Sequence, residues 1–382
     1  MVVKSTEVNS PSSQKLKPST IRIGTRYRAN RLKGPYDAIV IGSGIGGLTT
    51  AACLAKAGKK VLVLEQHYTA GGYTHSYARN GYEWDVGVHY IGDMGSPHTL
   101  GRRLFDYITD GKLEWAPMDE NYDRFFLGEK VVNLRAGKEG LRLSLLDAFP
   151  DEQEAIDQYV KLLGKVADGM QWYTLSKLAP GILSPVINKG LDVALPDCFN
   201  KTTWEVLSEL TDNQELIGAI TGQWGDYGLP PAQSSFAIHA MVVRHYFRGG
   251  AYPIGGASRI ADTIAPIIQR VGGQVVVKAT VASIDVEKGR AVGVSLEDGR
   301  RFRAPIVISG AGYLNTVQHL LQAEVAEKHG LRALQERIPR SGGHICLYLG
   351  FKESATDLRL PKANYWKRQL YLPKHLNRLN SR

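Results

Sequence analysis

Two apolar runs and a helix-forming stretch open the organised part of the chain, which begins at Tyr36. The run DAIVI is followed by glycine and predicts a buried parallel strand, because strands covered on both faces are apolar throughout. Residues 46–57 are rich in Ala, Leu and Thr and stop at Gly58, which predicts a helix closed by a glycine. KVLVLE then predicts a second strand. Together these elements predict a βαβ unit of about 30 residues.

Amphipathic helical patterns replace the strand pattern between residues 101 and 248. Residues 151–163 read DEQEAIDQYVKLL, and Ile156, Val160 and Leu163 fall on one helical face. Prolines break the later part of this region into short pieces. We therefore predict a mainly helical domain inserted into the first unit.

The strand pattern returns after Gly255. Residues 258–271 predict a helix with Ser258 as its N-cap. VVVKATVASIDVE, AVGVSLE and RFRA are separated by Lys-Gly and Asp-Gly turns, so they predict a β-meander, and the run IVISGAG predicts a further buried parallel strand. The fold class is therefore α/β, with a discontinuous, Rossmann-like, doubly wound domain and an inserted helical domain.

Positive charge is concentrated at the two ends of the chain, whose formal net charge is +10. Residues 1–35 carry +7 and residues 361–382 carry +6, which leaves about −3 on residues 36–360. A nucleic-acid groove is therefore not expected. The basic ends are expected to be solvated, and contact with an anionic membrane surface is the alternative. The predicted boundaries are a disordered basic leader (1–35), a nucleotide domain (36–100 and 249–318), a substrate domain (101–248 and 319–366) and a divergent basic tail (367–382).

The most informative motif is IVIGSGIGGL, which places Gly42, Gly44 and Gly47 in a G-x-G-x-x-G pattern between a predicted strand and a predicted helix. The first glycine permits the tight turn, the second lets a diphosphate approach the backbone, and the third lets helix and strand pack closely. Glu65 ends the second strand, where a carboxylate accepts hydrogen bonds from an adenosine ribose. The motif therefore predicts an adenine dinucleotide, with a 2′-phosphate disfavoured.

A glycine pair that follows Glu65 distinguishes a flavin dinucleotide from a nicotinamide dinucleotide. Gly71 and Gly72 follow Glu65 in the pattern ExxxxxGG. This pair lets another stretch of backbone run beside the diphosphate towards a ring held inside the protein. A nicotinamide cofactor lies across an open crevice and does not need that contact. The pattern therefore favours FAD, and a simple glycine turn is the alternative.

The stretch from IVIGSGIGGL to GVHYIGDM (39–94) resembles the superfamily of FAD-dependent desaturases, isomerases and saturases that act on carotenoids and retinoids. VLVLEQHYTAGG and GVHYIG are similar to its retinol-saturating members, and the similarity continues through FAIHAMVVRHYFRGGAYPIGG to DLRLPKANYW. The resemblance implies a two-domain flavoprotein, associated with the endoplasmic reticulum membrane, that reduces the 13,14 double bond of all-trans-retinol to all-trans-13,14-dihydroretinol. Carotenoid desaturation or isomerisation on the same scaffold is the alternative.

Such a reaction leaves the protein to hold a polyene against the flavin, exclude water and supply one proton. His89, Tyr90 and Tyr252 are the candidate donors. A structural role is equally expected for His89, and ring packing near the cofactor is favoured for the two tyrosines. No Ser-His-Asp or metal-ligand cluster is evident in the sequence, and its three cysteines have no C-x-x-C spacing.

Further glycines complete the candidate cofactor site. YPIGG predicts a tight turn near the flavin, and the resemblance places Val281 in a strand that contacts the adenine through its backbone. No second G-x-G-x-x-G follows, so NAD or NADP as electron source is implied by the resemblance alone. The candidate cofactor-binding residues are Gly42, Ser43, Gly44, Gly46, Gly47, Glu65, Gly71, Gly72, His75, Gly255, Gly256 and Val281.

The resemblance ends at Trp366. Family members continue into a glycine-rich segment that covers the flavin, and the remaining KRQLYLPKHLNRLNSR does not match it. The sequence therefore predicts a truncated chain that retains FAD weakly and has low activity. A catalytically inactive form that binds lipids or partners is the rival expectation.

Overall fold

A five-stranded parallel sheet is the centre of the first of two compact units in the computed structural model of the chain. The first unit runs up to Val86 and includes Gly255–Gly310, and the second comprises Gly87–Ile254 and the residues from Ala311 onward. The structure describes residues 22–32, 34–88, 90–178, 195–337 and 343–368.

The strands are numbered along the chain. In the described residues they are β1 (Thr25–Arg26), β2 (Ala38–Ile41), β3 (Val61–Glu65), β4 (Ser76–Arg79), β5 (Tyr82–Asp85), β6 (Ile91–Gly92), β7 (Trp115–Pro117), β8 (Asn121–Leu127), β9 (Lys130–Arg135), β10 (Gly250–Pro253), β11 (Gln274–Val277), β12 (Val281–Glu287), β13 (Arg290–Leu296), β14 (Arg301–Arg303), β15 (Ile306–Ser309) and β16 (Asn364–Arg368).

The α-helices are numbered in the same way. Within the described ranges they are α1 (Ile45–Lys56), α2 (Leu100–Thr109), α3 (Lys138–Ala148), α4 (Gln153–Leu178), α5 (Thr203–Leu210), α6 (Gln214–Ile220), α7 (Phe236–His245), α8 (Ser258–Arg270), α9 (Tyr313–Asn315), α10 (Ala323–Lys328) and α11 (Leu331–Glu336). None of the helices in these ranges combines the length and the apolar character that a membrane span requires.

The central sheet has the strand order β1-β11-β3-β2-β15, and every neighbouring pair is parallel. β2 and β3 are fully buried, as their continuous apolar runs predict, and α1 connects them. This confirms the predicted α/β class and the βαβ unit. β15 is parallel to β2, as predicted, but it is only partly buried because it is the outer strand of the sheet, and 42% of Ile306 is exposed.

Residues 22–32 correct the predicted leader. They do not belong to a disordered segment, because β1 pairs with β11 and Ile23 is buried. The Ile23 amide also donates to the Thr69 hydroxyl at 3.0 Å, and Tyr27 donates its hydroxyl proton to Asp298 at 2.8 Å. The prediction was wrong because it rested on the basic composition of the segment, which contains a buried apolar residue, Ile23, and the two-residue strand β1. Residues 1–21 lie outside the described residues.

The helix α8 is present at its predicted position, but the run VVVKATVASIDVE is not a single strand of the meander. Gln274–Val277 form β11 of the parallel sheet, the chain turns at Lys278, which has φ +58°, and only Val281–Glu287 join the meander as β12. β12, β13 and β14 form an antiparallel sheet in chain order.

The helix α8 begins at Ser258 itself, so the predicted N-cap is wrong. Side chains of the hairpin β4–β5 supply the cap instead: the Asp85 carboxylate accepts from the Ala257 amide at 3.1 Å, and the Ser76 hydroxyl accepts from the Ser258 amide at 3.3 Å. A distant hairpin cannot be read from local sequence, which explains the error.

The second unit contains the predicted helices and two sheets that the sequence analysis missed. On α4, Ile156, Val160 and Leu163 are all buried, as predicted. The missed sheets have the orders β6-β10-β7 and β16-β8-β9. β6, β7 and β10 have only two to four residues, too few to show a strand period. β8 and β9 are seven and six residues long, so the sequence analysis missed them although their length is ordinary for strands. The segments 87–100 and 249–254, assigned above to the nucleotide domain, fall in this unit.

Two glycines of the second unit provide a test of its packing. A methyl group on Gly222 would overlap the ring of the fully buried Phe125, whereas a methyl group on Gly164, in α4, would have no atom within 4 Å. Gly222→Ala should lower the free energy of unfolding by about 1–3 kcal/mol. Gly164→Ala should raise it by roughly 0.5–1 kcal/mol, because alanine favours a helix. Urea unfolding measures both, and equal midpoints for the two variants would contradict the described core.

Candidate functional site

The glycine loop of the first unit adopts the conformation that its motif predicts. Gly42 has φ +87°, a value that only glycine adopts freely, and its amide donates to the Leu64 carbonyl at 2.8 Å. A side chain on Gly47 would overlap the carbonyl oxygen of Gly42, so α1 packs against the loop only because this residue is glycine. The first and third glycines therefore have the structural roles expected of them.

The start of α1 has room for an anion. A Cβ atom added to Gly44 or Gly46 would have no neighbour within 4 Å, so this side of the loop is open. Gly44 is the N-cap of α1, and no side chain caps the helix there. The first-turn amides of a helix lack partners within the helix and carry its positive dipole end. This arrangement fits a diphosphate without any rearrangement of side chains.

Glu65 lies beside the loop and is held on both carboxylate oxygens. Its Oε2 accepts hydrogen bonds from the Ser43 amide at 2.8 Å and from the Ser43 hydroxyl at 2.7 Å. Its Oε1 accepts from the His67 amide at 2.8 Å. Ser43 is 0% exposed and Glu65 is 8% exposed. The carboxylate is therefore fixed at the end of β3, the position predicted for a contact with ribose.

The glycine pair joins the same assembly. The Gly71 amide donates to both the carbonyl oxygen and the hydroxyl oxygen of Ser43, at 3.1 and 3.2 Å, and Gly71 forms a parallel bridge with Gly44. A Cβ atom on Gly72 would lie 2.8 Å from the Cα atom of Gly44. His75 follows and donates its Nδ1 proton to the Gly72 carbonyl at 2.6 Å. The second stretch of backbone thus runs directly beside the first.

The remaining cofactor candidates of the first unit lie in two places. Val281 is buried and opens β12, two residues after Ala279, whose amide donates to the Glu65 carbonyl at 2.8 Å. The chain therefore brings the Val281 strand to the end of β3. Gly255 and Gly256 have φ +89° and +90° and form the turn that enters α8.

Two of the candidate proton donors, Tyr90 and Tyr252, belong to the second unit. Tyr90 is 7% exposed, and its hydroxyl donates to Asp123 Oδ1 at 2.7 Å. Burial, together with Tyr246 and Asp123, raises the pKa of Tyr90 far above its ordinary value. Tyr252 is half-buried on β10, where its backbone pairs with Ala116. His89 lies outside the described residues.

Asp123 is a buried acid that the sequence analysis missed. It is 0% exposed, and its Oδ1 also accepts from Trp366 Nε1 at 3.1 Å, while Oδ2 accepts from the Gln223 side-chain amide. Burial raises its pKa to about 7, although these hydrogen bonds and that of Tyr90 favour the charged form. The available signal was an acidic residue in the strand NYDRFFL, close to the aromatic residues of that strand.

A model of one protein family matches most of the chain. The family is described as flavin-containing amine oxidoreductases, and the match spans residues 45–371. It includes the start of α1, Glu65, the glycine pair and the strand that carries Trp366.

Curated relatives give a narrower similarity. The chain is 38% identical over 352 residues to all-trans-retinol 13,14-reductase of Homo sapiens, with 89% of this chain and 58% of that protein covered. It is 30% identical to a chloroplastic prolycopene isomerase of Arabidopsis thaliana, with 83% of this chain and 54% of that protein covered. The chain thus spans a little over half the length of these relatives.

A solved structure agrees with the fold. An oxidoreductase of Methanosarcina mazei superposes with a TM-score of 0.54 at 19% identity, with 78% of this chain and 64% of that chain covered. The family match covers Gly47, the fixed Glu65 and three of the five strands of the parallel sheet. The chain therefore belongs to the family of flavin-containing amine oxidoreductases.

Proposed function

We propose that the chain binds FAD in its first unit and is the nucleotide-binding and substrate-domain part of an enzyme that saturates the 13,14 double bond of all-trans-retinol. FAD binding is supported by the hydrogen-bonded assembly of Ser43, Glu65 and Gly71, which lies beside the open start of α1, where no side chain caps the helix. The proposed reaction on retinol is supported by the 38% identity to the human all-trans-retinol 13,14-reductase.

The described residues fit FAD in distinct roles. The loop at Gly44 and Gly46 would receive the diphosphate, and Glu65 would accept a hydrogen bond from the adenosine ribose. Gly71 and Gly72 would let the backbone follow the diphosphate towards the ring. FAD bound there in its reduced form would supply the hydride that an alkene carbon of the substrate receives. The protein must then deliver one proton to the neighbouring carbon and keep water out.

Tyr90 is better suited to positioning than to proton delivery. Its hydroxyl proton is held by Asp123, and a phenolate beside that carboxylate would be costly, as the raised pKa of Tyr90 reflects. We therefore assign Tyr90 a positioning role and retain Tyr252 and His89 as the candidate donors.

Carotenoid isomerisation is the second candidate function. The specific observation in its favour is the 30% identity to the prolycopene isomerase, a protein whose name indicates a polyene substrate. Both candidates use the same FAD site, so only the fate of the substrate separates them.

Electron supply and location complete the proposal. Saturation consumes two electrons per turnover, and we propose NAD or NADP as their source, on the support of the family resemblance alone. A polyene is poorly soluble in water, which supports peripheral association with the endoplasmic reticulum membrane.

Gly44→Ala tests the diphosphate site. The added methyl group points into the open side of the loop, so the free energy of unfolding should change by no more than about 0.5 kcal/mol. FAD affinity should fall by about tenfold or more, because the methyl group occupies the path of the diphosphate. Titration of the apoprotein with FAD, followed by flavin fluorescence, measures this, and Gly164→Ala in the second unit is the control. Unchanged affinity in Gly44→Ala would contradict the site.

Product analysis tests the reaction. Because weak retention of FAD and low activity are expected, the assay keeps FAD in excess. Under these conditions the chain, reduced by dithionite, should slowly convert all-trans-retinol to 13,14-dihydroretinol and leave prolycopene unchanged. Chromatography of extracts identifies both products. Isomerised prolycopene with unreacted retinol would favour the second candidate, and a folded protein that never acquires a flavin spectrum would refute both.

Asp123→Asn tests the charge state of the buried acid. The folded chain retains the proton of Asp123 up to a pKa of about 7, whereas an unfolded chain releases it near ~3.9. The free energy of unfolding should therefore fall as pH rises through this interval, by at most about 1.4 kcal/mol per pH unit. Urea midpoints measured from about pH 5 to pH 8 should decline more steeply in the wild type than in the Asn variant. Parallel declines would contradict this assignment.

A further inference from the structure

The side chain of Ser43 connects three separate parts of the nucleotide site. Its hydroxyl donates to Glu65 Oε2 at 2.7 Å and accepts from the Gly71 amide at 3.2 Å. Its own amide donates to the same carboxylate oxygen at 2.8 Å. Ser43 is 0% exposed, so its hydroxyl does not face the open side of the loop. Ser43 thus differs from the other loop candidates, which offer backbone to a ligand.

The hydrogen bonds of Glu65 leave it little capacity for a ligand. A carboxylate has about four acceptor positions, two on each oxygen. Ser43 fills both positions on Oε2, and the His67 amide fills one on Oε1. Among the described parts of the chain, no further donor fills the second position on Oε1. Glu65 can therefore accept one hydrogen bond from a ribose, and only through Oε1.

From this geometry we infer that Ser43 is a positioning residue, which fixes Glu65 so that Oε1 accepts a hydrogen bond from a single hydroxyl of an adenosine ribose. The inference rests on the proposed FAD site and names the part of the cofactor that the site selects. Without the Ser43 hydroxyl, Oε2 loses a donor and the carboxylate gains rotational freedom. The contact with ribose would then form less often, and a hydrogen bond to a charged group is among the stronger ones.

Binding of ADP and of 2′,3′-dideoxy-ADP to the apoprotein tests this inference without any turnover. Wild-type protein should bind ADP about tenfold or more tightly than the dideoxy analogue. Glu65→Ala should reduce this ratio to near one. Ser43→Ala should lower it by about threefold or more, because only the amides of Ser43 and His67 then hold the carboxylate. The double variant should have the same ratio as Glu65→Ala. Calorimetric titration measures all four ratios, and urea unfolding confirms that each variant is folded.

Two further variants keep the test interpretable. Thr50→Ala removes a hydroxyl from α1, the helix that follows the loop, where Thr50 donates to the Gly46 carbonyl at 2.8 Å, and it should preserve the wild-type ratio. Ser43→Cys places a slightly larger side chain that donates only weakly, so it carries the test if Ser43→Ala does not fold. It should lower the ratio as well.

The possible outcomes separate the inference from the proposed function. If Ser43→Ala weakens both nucleotides equally and keeps the ratio, Ser43 is only structural and the inference is overturned. A ratio near one in the wild type would also overturn it, because Glu65 would then not contact the ribose. If the folded wild-type protein binds neither nucleotide nor FAD, the proposed function fails and the inference fails with it.

Discussion

The nucleotide site depends on one buried carboxylate that must face a ligand and still be held by the protein. Glu65 meets both needs because Ser43 and His67 supply three donors to it, and the end of β3 fixes its backbone. A charged group at 8% exposure would be costly without such donors. The glycines matter for the same reason: Gly71 and Gly44 let two further backbone segments come close enough to complete the assembly.

The second unit also contains a buried carboxyl group held by hydrogen bonds, but its pKa is raised. Asp123 is also buried and also surrounded by side-chain donors, but its pKa is raised to about 7. Its bonds join β8 to Tyr90 and to Trp366 on β16, so one carboxylate links strands far apart in sequence. Beside Asp123, the ring of Phe125 stacks on the ring of Trp366, with 6.0 Å between the ring centroids. We regard this network as the support that orients Tyr90 in the proposed reaction.

The local sequence was sufficient to predict those features that depend only on backbone conformation and close packing. The roles of Gly42 and Gly47 follow from a turn and from close packing, and both could be deduced from spacing. The side chain of Ser43 could not, since nothing in GSG says that its hydroxyl faces a carboxylate 22 residues away. Asp123 was missed for a similar reason: its donors come from Tyr90, Gln223 and Trp366, which only the folded unit assembles. The predicted N-cap of α8 was wrong because side chains of the hairpin β4–β5, and not the local residue Ser258, cap the helix.

A crystal structure of the chain with FAD bound would test the central claim most directly. The account predicts one ribose hydroxyl within hydrogen-bond distance of Glu65 Oε1, with Oε2 still bonded to Ser43, and the diphosphate beside Gly44 and Gly46. A dinucleotide bound elsewhere, or a Glu65 side chain turned away from Ser43 to meet both ribose hydroxyls, would contradict it.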